Sequence, residues 1–408
     1  MSTTRLLVLL FAFLRCSAES SQRQSAAQTA RYRARHSTRR AARHAMRTEL
    51  RGARKMPAGF LGARLEVDQT ASAADEGPSE ELEDWKSSGH EVKSTLSDEE
   101  LMKLSAQIST QVYHDQIHSF VDPQDSRFVA HEGNGGAAEY IKGQLLEFGM
   151  NVTQQSFEDK RVEHYVNADG KERVNILGYI PGTDLAGEAV LLGAHYDSVN
   201  WEDTTGKAPG VDDNGSGLSL LLAVAKALKG SSFRRSVVFA AFNAEEEGLV
   251  GSEHFVKAFA GEGSEGEELF GKLKAVIIAD EVAWPGRGSD RRKAIFETVG
   301  REEGQSTIVD TLARCAMMAN ATDAPKGDGI GDGNQNFVVN YKGFGSDHIP
   351  FLDEGIPAVL LIERDDEFHA DTYGHSDRDN FDHVDLDFGA AMSRLALRAL
   401  VSLANPAD

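Results

Sequence analysis

Five short apolar runs set the architecture of this chain. Residues 174–180, 190–195, 237–242, 275–278 and 358–362 are rich in Val, Ile and Leu and read as apolar on both faces. Runs of that kind suit strands of a sheet covered on both sides. Helical stretches near 136–148, 216–229, 249–260, 304–319 and 387–404 are interleaved with them. The alternation predicts an α/β fold: one globular domain with a mostly parallel central sheet and helices on both faces. In such a domain, sites form beyond the carboxyl ends of the strands. Ser97-Asp-Glu-Glu100 before Leu101, Leu104 and Ile108 is an N-cap pattern, so the folded part is expected to start near Ser97.

The ends of those runs carry the chemistry. The second run closes on His195-Tyr-Asp197. Side chains two apart share a face of a strand, and an imidazole beside a carboxylate suits a metal ligand and the group that orients its ring. Asp212 and Asp213 then stand in a Gly-rich turn before a helix, a costly pairing unless something positive neutralises it. The third run leads into Asn243-Ala-Glu245-Glu246-Glu247-Gly248, the fourth into Asp280-Glu281, and a late loop holds His375-Ser-Asp-Arg-Asp379. Any one of these acids alone reads as a solvated loop residue. Their recurrence at the ends of the apolar runs does not.

The donors are oxygen and imidazole, without thiolate. That set suits zinc in a hydrolytic site, with manganese or cobalt as alternatives. The surplus of carboxylates calls for two ions, an arrangement used by aminopeptidases among others. The adjacent Glu245 and Glu246 allow one carboxylate to bind metal while its neighbour takes a proton from water.

With these residues in view, the chain resembles the dinuclear zinc aminopeptidase family. That family includes bacterial leucyl aminopeptidases, glutamate carboxypeptidase and the glutaminyl cyclases. The resemblance rests on Gly-Ala-His195-Tyr-Asp197-Ser, Pro-Gly-Val-Asp-Asp213-Asn-Gly-Ser-Gly, Ala-Glu245-Glu246-Glu-Gly-Leu-Val-Gly-Ser, Asp280, Ser-Asp-His348-Ile-Pro-Phe, Gly-Ile-Pro-Ala-Val and His375-Ser-x-x-Asp379, in that order, over about residues 100–405. It implies two zinc ions. Asp213 would bridge them, His195 and Asp280 would complete one site, and Glu246 and His375 the other. Glu245 would be the general base, Asp197 would orient His195, and the Asp213–Asn214 peptide bond would be cis. The implied activity is exopeptidase action, aminopeptidase first, on a peptide or aminoacyl substrate. Three rivals are a glutaminyl-peptide cyclotransferase on the same fold, an amidohydrolase resembling acetylornithine deacetylase, and a non-enzymatic receptor-like module.

Other residues receive blander readings. Asp212 is either a supporting acid or a cap for the following helix. Glu247 is expected to be solvated at a helix start, and Asp347 and His348 to be structural hydrogen-bonding groups. His369 is the competing imidazole for His375, which the His-Ser-x-x-Asp pattern favours. Cys315, in an apolar helical pattern, reads as a packed thiol. Asn151-Val-Thr and Asn320-Ala-Thr are glycosylation acceptors, whereas Asn214-Gly-Ser, beside an expected ligand, should stay unmodified.

Charge is distributed unevenly along the 408 residues, whose formal net charge is −21. Fourteen of the 43 Lys and Arg but only two of the 64 Asp and Glu fall within residues 1–64. An acidic body of this kind disfavours a nucleic-acid partner. Residues 1–18 have the pattern of a signal peptide, with Arg5, an apolar run over 6–14 and small residues before Glu19. That run is too short to span a bilayer, which takes about twenty residues. Residues 19–64 read as a basic disordered leader or a transit-like segment, and 65–96 as an acidic linker or propeptide ahead of the peptidase domain at 97–408. The route implied is secretory, with a plastid reached through a bipartite leader as the alternative.

Overall fold

The structure, a computed structural model, describes residues 82–83, 86–163, 172–260, 263–287, 292–321, 337–342, 345–363, 369 and 373–407. The readings made for residues 1–80 lie outside that set. Nine strands occur among the described residues: β1 (Leu82–Glu83), β2 (Asn151–Ser156), β3 (Val174–Ile180), β4 (Leu185–His195), β5 (Arg235–Phe242), β6 (Lys272–Ala279), β7 (Ala294–Glu297), β8 (Phe337–Asn340) and β9 (Ala358–Ile362). They form one sheet in the order β1-β8-β7-β9-β6-β4-β5-β3-β2.

Strand direction follows position in the sheet. The central four strands, β9, β6, β4 and β5, are parallel to one another, as β7 is to β8. The pairs β2–β3, β3–β5, β7–β9 and β1–β8 are antiparallel. The expected parallel sheet therefore describes the centre, and the whole is mixed. β3 shows why direction was not legible. Its first five residues are as buried as those of a parallel strand, yet it runs against β5. Burial sets which residues a strand carries, whereas its direction depends on where the connection returns.

Both faces of the sheet are covered. In β4, Val190, Leu192 and Ala194 join one apolar cluster and Leu191 the other. In β5, Val237, Phe239 and Ala241 alternate in the same way with Val238, Ala240 and Phe242. This is the two-residue period of a strand buried on each side. The larger cluster is roofed by helices Gly217–Ala227, Glu303–Ala321 and Leu386–Ala404, and the smaller by Phe255, Phe259, Phe270 and Phe351. Each fully buried Val, Leu or Ile contributes roughly 1.5–3 kcal/mol. Cys315 is buried within the larger cluster, as its apolar pattern implied.

The capping box at Ser97 forms as the sequence predicts. Described residues ahead of Ser97 also pack on the domain. Residues 87–92 lie against the helix Glu303–Ala321. Asp310 accepts from the Ser88 and His90 amides at 2.9 and 3.2 Å and from Ser88 Oγ at 2.7 Å, and Thr311 Oγ1 accepts from the Val92 amide at 3.1 Å. The polar composition of this stretch suggested a linker because its partner, Asp310, lies more than 200 residues away. Asn151 is exposed at the start of β2, and Asn214 is fully buried, in keeping with an unmodified residue. The Asn320 side chain lies outside the described residues. No helix among the described residues is long and apolar enough to cross a membrane.

Asp310→Ala should destabilise the domain by about 2 kcal/mol, because several amide and hydroxyl donors lose a buried charged acceptor. Urea denaturation measures the loss, and limited proteolysis should cut faster within 86–96. Unchanged stability and cleavage would show that the stretch is not anchored there.

Candidate metal centre

The carboxyl ends of β4, β5 and β6 converge at one place. β4 delivers His195, which pairs in register with Phe242 of β5. β5 passes into the turn that holds Glu245 and Glu246, and β6 ends one residue before Asp280. Asp213 enters from the turn Val211–Ser216, where it and Asn214 depart from helical angles and the bond between them is cis. That turn is pressed against β6. A side chain on Gly217 would stand 2.4 Å from the Ala279 carbonyl oxygen, so glycine is required for the approach. His375 arrives from the loop before the last helix, at a left-handed φ of 53°.

Asp213 occupies the middle of the cluster. Its Oδ1 is 3.3 Å from His195 Nε2, and its Oδ2 is 3.1 Å from His375 Nε2. Asp280 Oδ1 lies 3.2 Å from His195 Nε2, and Glu246 Oε2 lies 3.0 Å from His375 Nε2. The structure thus brings together all five residues expected to be ligands, arranged as two imidazole–carboxylate groups sharing one aspartate. All are buried except His375, whose side chain is 34% exposed and gives the site an open side.

A supporting layer fixes each group. Asp197 Oδ1 sits 3.4 Å from His195 Nδ1. The same carboxylate accepts the amides of Glu245 and Glu246, each at 3.2 Å, and so ties the β4 imidazole to the β5 turn. Ser346 Oγ donates to Asp280 Oδ2 at 2.7 Å. Asp379 accepts the amides of Asp212 and Asp213 at 2.8 and 2.9 Å and so holds the shared aspartate through its backbone. Asp212 is not a helix cap. It accepts from the Ala283 and Trp284 amides at 2.9 and 3.2 Å and shapes the loop after β6. Glu247, expected to be solvated, is buried. Asp347 and His348 are fully buried, so neither is a solvated loop residue.

Arg127 carries no local signal of its role. Its guanidinium is wholly buried and donates to the carbonyls of Tyr196, Pro209 and Gly210 at 2.7, 2.6 and 2.8 Å. One side chain thereby clamps both the strand end that carries His195 and the loop that leads to Asp213. Asn134 and Asn243 form a reciprocal amide pair at 2.9 and 3.0 Å beneath the Glu245 turn. These contacts span 69 to 109 positions, and nothing local to Arg127 or Asn134 marks them.

The electrostatics describe a site in need of cations. Burial, with Asp213 adding, pushes the Glu246 carboxyl up to about 7. Burial also drives Glu245 well above its ordinary range, with Glu246, Asp347 and Asp280 adding to the effect. Burial would lower His195 and His375, but the carboxylates around them win and raise both well above the usual imidazole value. Burial would raise Asp213, yet hydrogen bonds with the two imidazoles hold it well below its ordinary value. Crowded carboxylates that take protons, beside imidazoles that keep them, form a donor set that divalent cations fit. Where metal binds, the imidazoles must give up those protons.

An α/β sheet whose parallel strand ends gather oxygen and imidazole donors around a shared aspartate defines a metallohydrolase type of site. The sequence profile described as peptidase family M28 matches residues 175–400, more than half of the chain, and the chain belongs to that family. It is similar to a protein named aminopeptidase YwaD of Bacillus subtilis (strain 168), with 29% identity over 60% of this chain and 47% of that protein. A probable leucine aminopeptidase of Trichophyton verrucosum (strain HKI 0517) is 28% identical over 56% of this chain and 57% of its own length. The chain spans about half the length of these curated relatives. Among solved structures, the LapA aminopeptidase of Legionella pneumophila superposes with a TM-score of 0.59 at 22% identity, covering 79% of each chain. BSAP, a zinc aminopeptidase from Bacillus subtilis, gives 0.56 at 18% identity, covering 73% of this chain and 96% of that one. The glutaminyl cyclase of Porphyromonas gingivalis gives 0.52 at 19%, covering 72% and 97%. At these identities the structures establish the fold.

A pH dependence follows for the metal-free chain. Burial raises Glu246 and Asp347 to about 7 and Asp212 to about 6 in the folded state. Their unfolded values lie near about 4, so between about pH 4 and 7 the folded state holds more protons than the unfolded one. Stability conferred by these groups is present at the acid end of that window and is lost as pH rises through it. The raised imidazoles act in the same direction above about pH 6.5, and the depressed Asp213 opposes only near the acid end. The melting temperature of chelator-treated protein should therefore fall from about pH 5 to 7.5, and added divalent metal should remove the decline. A metal-free melting temperature that climbed across this range would contradict the assignment.

Proposed function

We propose that the chain is a two-metal aminopeptidase that hydrolyses the first peptide bond of its substrate. The observation that carries this reading is the position of Asp213, whose two carboxylate oxygens face two different imidazoles at 3.3 and 3.1 Å. Asp280 would complete the group around His195, and Glu246 the group around His375. One divalent ion, zinc in the first instance, would be held by each set. When bound, such ions polarise a scissile carbonyl and make water more acidic.

The remaining work belongs to the chain. Glu245 follows directly from the β5 turn, lies in the field of His195, Glu246, Asp347 and Asp280, and keeps partial exposure. Its raised proton affinity suits a base that takes a proton from the attacking water and returns it to the leaving amine. Asp197 serves base and ligand together. It orients His195 and anchors the amides of Glu245 and Glu246. The names of the relatives support aminopeptidase action, as do the Ala-Glu-Glu-x-Gly-Leu-x-Gly-Ser residues at 244–252. The leader at residues 1–18 would carry the enzyme into the secretory pathway, where peptides are its substrates.

Glu245→Gln should lower turnover on aminoacyl substrates by at least about a hundredfold, within the range general-base catalysis supplies. Elemental analysis of the same variant should find its metal content unchanged. Near-normal turnover would remove Glu245 from the mechanism. A peptide with amino-terminal Gln should release that residue; ammonia appearing instead would indicate cyclase chemistry on the same site.

Removing metal with a chelator should abolish hydrolysis, and restored zinc should return it with a stoichiometry near two. A plateau at one ion per chain would refute the shared role of Asp213.

A further inference from the structure

One imidazole at the centre has no part in that scheme. The ring of His369 lies 4.5 Å, centroid to centroid, from the ring of His375. A ring nitrogen of His369, a ring nitrogen of His375 and a carboxylate oxygen of Asp213 all stand within 4.8 Å of one another. His369 is therefore as close to the shared aspartate as a metal ligand needs to be.

Two independent features seat the ring there. His369 Nε2 is 2.9 Å from Glu281 Oε1, on a carboxylate that is only 6% exposed. The ring also lies directly over Gly374, the residue before His375. A Cβ at that position would stand 2.2 Å from His369 Cε1 and 2.3 Å from Nδ1. The absence of a side chain at 374 is what lets the second imidazole approach the first.

The arrangement repeats the one at His195. There a buried carboxylate, Asp197, faces one ring nitrogen, and the other faces Asp213 and Asp280. At His369 a buried carboxylate, Glu281, faces Nε2, and Asp213 is again within reach. An imidazole with a carboxylate beside one nitrogen can present a lone pair at the other, as metal ligation requires. Asp197 follows a ligand on β4 and Glu281 follows the ligand Asp280 after β6, so each strand end would supply both a ligand and an acid that orients an imidazole.

We propose that His369 is an additional ligand of the dinuclear centre, shared with His375, Glu246 and Asp213 on one ion and oriented by Glu281. This rests on the two-metal reading. It makes the two sites chemically unequal. One ion would have a single imidazole among carboxylates, and the other would have two. The nitrogen-richer site would favour zinc, cobalt or nickel, whereas the carboxylate-rich site would accept manganese more readily.

The test is stepwise metal binding to the full chain. Zinc affinity is read by competition with a chromogenic chelator, and cobalt is read by visible absorption. His369→Ala should weaken one of the two ions about 10- to 100-fold, leave the other unchanged, and alter the cobalt bands of the weakened site alone. Gly374→Ala removes no donor, yet it should weaken the same ion by displacing the His369 ring. Glu281→Gln should weaken that ion by about tenfold, and it serves if His369→Ala does not fold, as judged by circular dichroism of the metal-free protein. Wild-type affinity for both ions in His369→Ala, or in both other variants, would overturn the role of His369. If His375→Ala also kept both ions at wild-type affinity, the two-metal reading itself would fail.

Discussion

The shared carboxylate of Asp213 is the constraint on which the rest of this site depends. One acid facing two imidazoles leaves Asp280 beside the first and Glu246 beside the second. Such crowding is unfavourable in a buried setting, because each carboxylate raises the proton affinity of the next. Protonated imidazoles can meet that demand in part, and divalent cations can meet it fully. The turn that carries Asp213 is held from outside the cluster, by Asp379 on its amides and by the close packing of Gly217 on β6. The carboxylate is thus positioned by contacts of the fold outside the cluster.

The scaffold makes that positioning rigid. Parallel strands deliver His195, the Glu245 turn and Asp280 to the same edge, and apolar layers on both faces keep the strands from shifting. Arg127 then joins segments that the sheet leaves unconnected, by binding three carbonyls with one planar guanidinium. Asp197 performs a similar service with a single carboxylate, since it contacts His195 and the amides of Glu245 and Glu246. The cluster in this chain therefore depends on the polar layer behind it as well as on its own donors.

Much of this was legible in the chain itself. The apolar runs at 174–180 and 358–362 coincide with β3 and β9, and the other three runs fall inside β4, β5 and β6. They were readable because central strands must be apolar on both faces. The edge strand β2, Asn-Val-Thr-Gln-Gln-Ser, was not, because one exposed polar strand looks like a loop. The four-residue strands β7 and β8 were too short to show a period. Glu247 was misjudged because an acid beside two expected site acids gives no clue to which way its turn folds. The packing of the residues just before Ser97 was not legible, because their anchor, Asp310, belongs to a helix more than 200 positions further on.

The sequence by itself determined the composition of the site. One strand end carries His195 with Asp197, two others carry paired acids, and the resemblance of those motifs to a known family supplied the expected donor set. The tertiary structure alone decided which oxygen faces which nitrogen, that His369 stands beside His375, and that Arg127 and Asn134 support the cluster. The reason is physical. Residue type follows from local burial and backbone period, which a sequence records within a few positions. The meeting of side chains 70 or more residues apart depends on how strands are ordered in the sheet and on where loops return, which no local pattern encodes.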